Sequence, residues 1–340
     1  MRVLAAMSGG VDSSVAAAML ADEGHDVVGV TLKLWGGESD SGCCSVADVE
    51  DARRVAAQLD IDHYVFNLTD EFAAAVVEPY VHAYAEGRTP NPCIECNRSI
   101  KFARLLERAG ALGFDAVATG HHARVVREDS VFELRRGVDP AKDQSYVLYM
   151  LTQRELARVL LPIGAMTKRE VREHAARLGL RTATKAESMD VCFVMRHSRV
   201  EFVSSRAATP PGRIVDTTGS VVGEHDGVAA FTVGQRRGVG VATGQRHYVV
   251  DLDAASATVT IGTRDDLARR HVDLDDLVFT NHPPRDGIAI YAQVRAHGDP
   301  IEARLRGARV EFDAPQPRVA PGQVVALYSY DVVLGGGIAA

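Results

Sequence analysis

Two stretches of this chain carry residues whose types and spacing could do chemistry. The first is Ser8-Gly9-Gly10-Val11-Asp12-Ser13-Ser14. Adjacent glycines let a backbone turn tightly and approach a ligand closely. The amides of such a loop, continued into a helix start, converge on an anion. Ser13 and Ser14 add hydroxyl donors, and Asp12 can hold the turn or a magnesium ion. No lysine follows the glycines, so this is not a Walker A loop. An Asp/Ser helix cap after a glycine turn is the plain alternative, but the full string at a strand–helix junction favours a phosphate site. The second stretch is Thr89-Pro90-Asn91-Pro92-Cys93-Ile94-Glu95-Cys96-Asn97, read as a loop ahead of a helix holding Lys101 and Phe102. A third thiol, Cys192, lies far along the chain beside Phe193. A C-x-x-C is a zinc half-site, a redox pair, a set of cluster ligands or coincidence. A tetrahedral zinc site wants a second close pair, and the sequence has none. Cys192 alone reads as a small buried apolar residue.

The elements that must position these residues follow from periodicity. Residues 3–7 form a short apolar run before the glycine loop, and 13–23 an Ala-rich helix stopped by Gly24. Residues 27–34 read as a buried parallel strand, 46–59 as a helix, 64–68 as a strand, 71–86 and 100–112 as helices, and 116–119 as a strand running into Gly120-His121-His122. Strands alternating with helices of this length predict an α/β, doubly wound parallel sheet, with ligands beyond the carboxyl ends of the strands. After Thr209-Pro210-Pro211-Gly212 the pattern changes to short β runs at 213–216, 249–252 and 259–261. Runs at 289–296, 301–305, 310–312 and 324–330 predict a small antiparallel barrel or sandwich. Boundaries near 200 and 266 divide the chain into 1–200, a small central β-rich domain at 201–265, and a C-terminal β-barrel domain at 266–340.

With 340 residues, 46% apolar and 24% charged, the composition is that of a soluble globular protein of two or three domains. The N-terminus has no signal-peptide layout and no apolar run nears 18 residues, so a cytoplasmic location is expected. Five cysteines in this length do not make a disulfide framework, which leaves chemistry or metal binding for them. The net charge of −7 argues mildly against a nucleic-acid partner, although local patches decide such binding. From Arg154 to Lys185 eight basic and three acidic residues give a net +5, either a solvated helix face or a footprint for RNA. Arg236-Arg237 is open in the same way. Trp35 is expected to pack the end of its strand, and Cys43-Cys44 to be ordinary loop residues.

The glycine string resembles the pyrophosphatase loop of the ATP-pyrophosphatase superfamily, whose members split ATP between its α and β phosphates and leave an adenylated substrate. Adenylation turns a carbonyl oxygen into a good leaving group. Coupled to such a loop, two thiols make chemical sense: one carries a persulfide, and the second attacks it to release sulfur into the product. Each thiol then needs thiolate at neutral pH, favoured by a helix N-terminus or by Arg98 and Lys101.

In order along the chain stand S-G-G-V-D-S, T-P-N-P-x-x-x-C-N-x-x-I-K-F, A-T-G-H-H-A-R, K-D-Q-S-Y, D-V-C-F and F-T-x-G-Q-R-x-G, closed by P-G-Q-x-V-x-L-Y-x-x-D-x-V-L-G-G-G. This ordered set resembles the bacterial tRNA-specific 2-thiouridylases over essentially the whole length. The resemblance implies an adenine nucleotide alpha hydrolase-like first domain and an ATP-dependent sulfurtransferase that makes 2-thiouridine at the wobble position of tRNA. It implies Cys96 as nucleophile and Cys192 as persulfide carrier, approaching to disulfide distance, Cα atoms within roughly 7 Å, at some stage. It places Ala6, Met7, Ser8, Gly9, Gly10, Val11, Asp12, Ser13 and Gly120 on ATP, and Leu32 on the adenine side. Asn91, Pro92 and Cys93 face the target base, while His121, Lys142, Asp143, Gln144 and Gln323 match tRNA-contacting positions. A persulfide donor, either a cysteine desulfurase or a sulfur-relay protein, and Mg2+ are further expectations. Two departures stand out. Cys93 replaces an Asp common in relatives, and Arg295-Ala296-His297 replaces a more basic stretch. Cys93, Cys96 and Cys192 could instead ligate an iron–sulfur cluster with one open iron. The alternative function is another ATP-pyrophosphatase, a ligase or amidotransferase, acting on a small molecule.

Overall fold

The computed structural model describes residues 1–35, 45–186, 191–194, 199–241 and 246–340; Cys43 and Cys44 lie outside them. The first sheet is built from β1 (Arg2–Ala6), β2 (Asp26–Lys33), β3 (His63–Asn67), β4 (Ala116–Ala118) and β7 (Val159–Leu160), all parallel, in the order β3-β2-β1-β4-β7. Helices α1 (Val11–Asp22) and α2 (Val46–Gln58) make the first two crossovers. The order reverses between β1 and β4, and this switch point opens a crevice beyond their carboxyl ends. β1 and β2 have almost every side chain buried, because helices and loops cover both faces of the sheet.

One local expectation is corrected. The segment before Cys96 is not a loop: a helix begins at Pro92. Asn91 is its N-cap, its side chain accepting from the Cys93 amide, and Pro92 at the first position has its φ pre-set and no amide to satisfy. At Cys96 the helix widens into a π-helical stretch, Cys96–Arg104, before resuming as Leu105–Ala111. Such widenings recur at functional sites.

The central sheet has the order β10-β11-β8-β9, from β8 (Gly212–Asp216), β9 (Val221–His225), β10 (Tyr248–Asp253) and β11 (Thr258–Gly262). The last six strands, β12 (Ala268–Phe279), β13 (Ile288–Gln293), β14 (Ile301–Arg306), β15 (Arg309–Pro317), β16 (Val324–Ser329) and β17 (Val332–Ala339), close into an antiparallel barrel through the β12–β17 pairing. A hairpin from the first part of the chain, β5 (Ala123–Glu128) and β6 (Val131–Arg136), joins this barrel sheet through Val332 and Arg135. Its strands lie far from the barrel in sequence, so local periodicity gave no sign of the pairing.

Candidate active site

The glycine loop sits at the switch point, between β1 and α1. Gly9 has φ +70°, and a Cβ there would stand 2.2 Å from the Asp48 carbonyl oxygen on α2. Gly10 caps α1, and its carbonyl accepts from the hydroxyls of Ser13 (3.2 Å) and Ser14 (2.8 Å). The Ser8 amide donates to Ser13 Oγ at 3.1 Å. The serine hydroxyls therefore hold the loop's own shape, and the backbone amides are the groups left to meet a phosphate. A Cβ on Gly120, in the loop after β4, would fall 2.6 Å from the Asp12 carbonyl carbon and the Ser13 amide. Only glycine lets the two loops touch there. Met7 is buried, Ala6 half-buried, and Leu32 is buried on β2 opposite Phe66.

Two lysines that sequence reasoning passed over bolt this loop to the rest of the domain. Lys168 Nζ donates to both carboxylate oxygens of Asp12, at 2.7 and 2.6 Å, and His122 Nε2 lies 3.2 Å from Asp12 Oδ1. Burial would push the Asp12 carboxyl up, but the His122 and Lys168 hydrogen bonds outweigh it and hold it below the usual carboxylate range. Lys185 Nζ reaches the Gly9 carbonyl oxygen (2.9 Å), Asp48 (2.7 Å) and Asp51 (2.7 Å). Both lysines belong to the basic stretch 154–185, where Arg158 and Arg172 also turn inward onto backbone carbonyls. Four of its eight cations thus serve the fold. Their signal in the sequence was scarcity: lysine is rare in this arginine-rich chain.

On the thiol side, Cys96 is buried in the main apolar cluster and Cys192 packs partly buried against the same cluster. Asn97 donates to the Val147 carbonyl (3.0 Å), and Arg98 to the Tyr149 hydroxyl (3.0 Å) while pairing with Glu95. Phe193 anchors the Cys192 segment, its ring 5.2 Å from Tyr80, 5.4 Å from Phe202, 5.7 Å from Phe72 and 6.1 Å from Trp35. Trp35 does pack the end of its strand, and what it packs against is this anchor. Burial raises the Tyr80 pKa, and Cys93 lies close enough to add to the rise. No group of three or more His, Cys, Asp or Glu side chains among the described residues, Cys93, Cys96 and Cys192 included, is arranged to hold a metal ion.

The two sides meet at the loop after β4. Phe102, on the Cys96 helix, packs against His121 with ring centres 5.9 Å apart. His121 Nδ1 and Thr119 Oγ1 lie 2.7 Å apart, and burial, reinforced by Lys101, pushes the imidazole down to about 3, so it is neutral at physiological pH. Gln144 and His122 bond reciprocally, Gln144 N to His122 O and His122 N to Gln144 Oε1, both at 2.9 Å. Asp143 is turned inward. It pairs with Arg136 (2.8 Å) and accepts from Gly137 and Ser145, while Lys142 is half-buried and Gln144 exposed. Gln323 donates to the Thr89 carbonyl (2.6 Å), and the Thr89 amide to the Pro321 carbonyl (2.7 Å). The barrel therefore grips the chain two residues before Asn91.

Family models cover nearly all of the chain. One described as tRNA methyl transferase HUP domain matches residues 1–196, one as tRNA methyl transferase PRC-barrel domain 200–263, and one as aminomethyltransferase beta-barrel domain 269–339. The tRNA-specific 2-thiouridylase MnmA of Roseiflexus castenholzii is 46% identical over 371 residues, covering 99% of this chain and 98% of that protein. This chain belongs to the tRNA-specific 2-thiouridylase family. Other 2-thiouridylases are as similar: those of Chloroflexus aurantiacus (47% identity, 98% of this chain, 97% of that protein) and Moorella thermoacetica (47%, 98% of each). The matched length takes in both site loops, all three sheets and every candidate residue named above.

Proposed function

We propose that this chain is an ATP-dependent sulfurtransferase that converts the wobble uridine of tRNA to 2-thiouridine. The observation that carries the reading is the contact between its two halves. The helix bearing Cys96 packs through Phe102 and His121 onto the loop whose Gly120 touches the phosphate loop. That contact supports a reading in which activation and sulfur delivery happen side by side.

The uridine O2 attacks the α-phosphorus of ATP, and pyrophosphate leaves. The loop amides steady the charge that builds on the phosphates. Cys192 holds the sulfane sulfur as a persulfide, received from a persulfide donor protein. Cys96 attacks the inner sulfur, and the released hydrosulfide displaces AMP from C2. Atoms balance with a Cys96–Cys192 disulfide as by-product, which an external thiol reduces before the next turn. Mg2+ would come with the nucleotide's phosphates, beside Asp12, whose carboxylate is held by Lys168 and His122. The persulfide route needs only Cys96 and Cys192, so no step is routed through iron. Asn91, Pro92 and Cys93, at the helix start, face the base, with Lys142 on the RNA and His121, buried against Phe102, holding the loop behind them. We draw the domains at 1–200, 201–265 and 266–340, and place the protein in the cytoplasm; no helix among the described residues is long and apolar enough to cross a membrane.

Nucleoside mass spectrometry of tRNA from a strain lacking this protein tests the reading. Wobble 2-thiouridine should disappear and return with the gene. Normal thiolation in the deletion strain, or loss of a methylated uridine instead, would overturn it.

A further inference from the structure

A protein of net charge −7 that handles RNA must gather its free cations somewhere. From Gly227 to Val250 the chain has no Asp or Glu, yet contains Arg236, Arg237 and Arg246. The described residues of this stretch before Tyr248 belong to the central sheet's connection between β9 and β10. Arg236, Gly238, Val239, Gly240, Val241, Arg246 and His247 line an open cavity of about 490 Å³ there. Among the described residues neither the Arg236 nor the Arg246 guanidinium has an acidic partner or a backbone acceptor, unlike Arg124, Arg136 and Arg318. Gly238 and Gly240 have φ +72° and +79°, left-handed conformations that glycine adopts without strain.

We infer that this cavity is a docking site for a phosphodiester of the tRNA backbone, away from the target base. The inference rests on the proposed tRNA substrate. Guanidinium groups match a phosphate's paired oxygens, and glycine amides add donors that carry no base information. The site therefore holds the RNA without reading its sequence. Its rim connects to the catalytic helix. Gln235 ties the turn together, accepting from the Thr232 amide (3.1 Å) and donating to the Arg237 carbonyl (2.9 Å). Thr232 Oγ1 lies 3.4 Å from Thr89 Oγ1, and a Cβ on Gly87 would stand 3.2 Å from Leu252. A phosphate held at Arg236 and Arg246 is thus anchored to the same short segment, 87–91, from which the Cys96 helix starts.

The test uses the full chain with both Arg236→Gln and Arg246→Gln. Binding of an unmodified tRNA transcript is followed by fluorescence anisotropy across a KCl series, with thermal melting as the fold control. Losing two phosphate contacts should weaken binding about tenfold at physiological salt and lower the log–log salt slope by about two. Pyrophosphate release at limiting tRNA should fall in step with the lost affinity. The charge-conserving pair Arg236→Lys and Arg246→Lys should keep the slope. Should the double glutamine variant melt early, Arg236→Gln alone, exposed on its turn, should give half the slope change. Unchanged affinity and slope in the glutamine variants would overturn the inference. Wild-type protein that itself fails to thiolate tRNA would instead overturn the functional reading on which this rests.

Discussion

The phosphate loop and the thiol pair are held in opposite ways. Around the loop, four separate segments are cross-bonded: Asp12 to Lys168 and His122, Gly9 and α2 to Lys185, and the backbone of 12–13 against Gly120. Of the two thiols, Cys96 sits within a continuous helix, while Cys192 belongs to a short stretch fixed by the aromatic contacts of Phe193. The difference follows from the chemistry. Charge developing on a phosphate is stabilised by donors already in place, because reorganising them during reaction would cost the stabilisation they offer. A sulfur relay needs two thiols that receive a donor at one stage and meet each other at another. One site profits from being bolted down and the other from thiols carried on separate segments.

Removing a bolt gives the largest expected effect. Lys168→Met should lower ATP-dependent pyrophosphate release on the order of a hundredfold, the usual cost of deleting one preorganised charge contact. Loading of sulfur from a persulfide donor should be untouched. Equal loss of both activities would erase the distinction between the two regions.

Gln323→Ala probes the barrel's grip on the root of the Cys96 helix. Losing the bond to the Thr89 carbonyl removes about 1 kcal/mol, so thiolation should fall severalfold in kcat with KM for tRNA little changed. A rise in KM at constant kcat would make Gln323 a direct RNA contact instead.

The smallest effect is on stability and sharpens the junction between the regions. His121 is neutral in the fold down to about pH 3, whereas an unfolded histidine protonates near 6.5. Between those values the unfolded chain binds the extra proton, so this histidine's contribution to stability is present above 6.5 and is lost as the pH falls. In denaturant unfolding, the stability gap between wild type and His121→Gln should narrow from pH 6.5 downward. A gap that widens would mean the buried imidazole is charged.

Much of this was legible in the sequence, for identifiable reasons. The strand–glycine–helix punctuation of residues 3–23 is local, and the structure repeats it within two residues. The barrel strands alternate plainly enough to be read, though β12 and β17 were missed, β17 because three consecutive glycines break its pattern. Asn91-Pro92 is a helix start, an Asn N-cap followed by Pro at the first position, where the sequence reading has a loop. What local pattern cannot carry is pairing at a distance. The joining of β6 to β17, and of Lys168 and Lys185 to a loop more than 150 residues earlier, exist only once the chain is folded. Asp12 illustrates the cost: its place at a strand–helix junction is a local signal, whereas its partners Lys168 and His122 are distant in sequence.

The central claim is that two thiols divide the work, with Cys192 carrying sulfur and Cys96 releasing it. Peptide mass spectrometry after incubation with a persulfide donor tests this directly, on wild type, Cys96→Ser and Cys192→Ser. The account predicts an added sulfur on Cys192 in wild type, its accumulation in Cys96→Ser without tRNA thiolation, and none in Cys192→Ser. Persulfide trapped on Cys96 and never on Cys192 would contradict it.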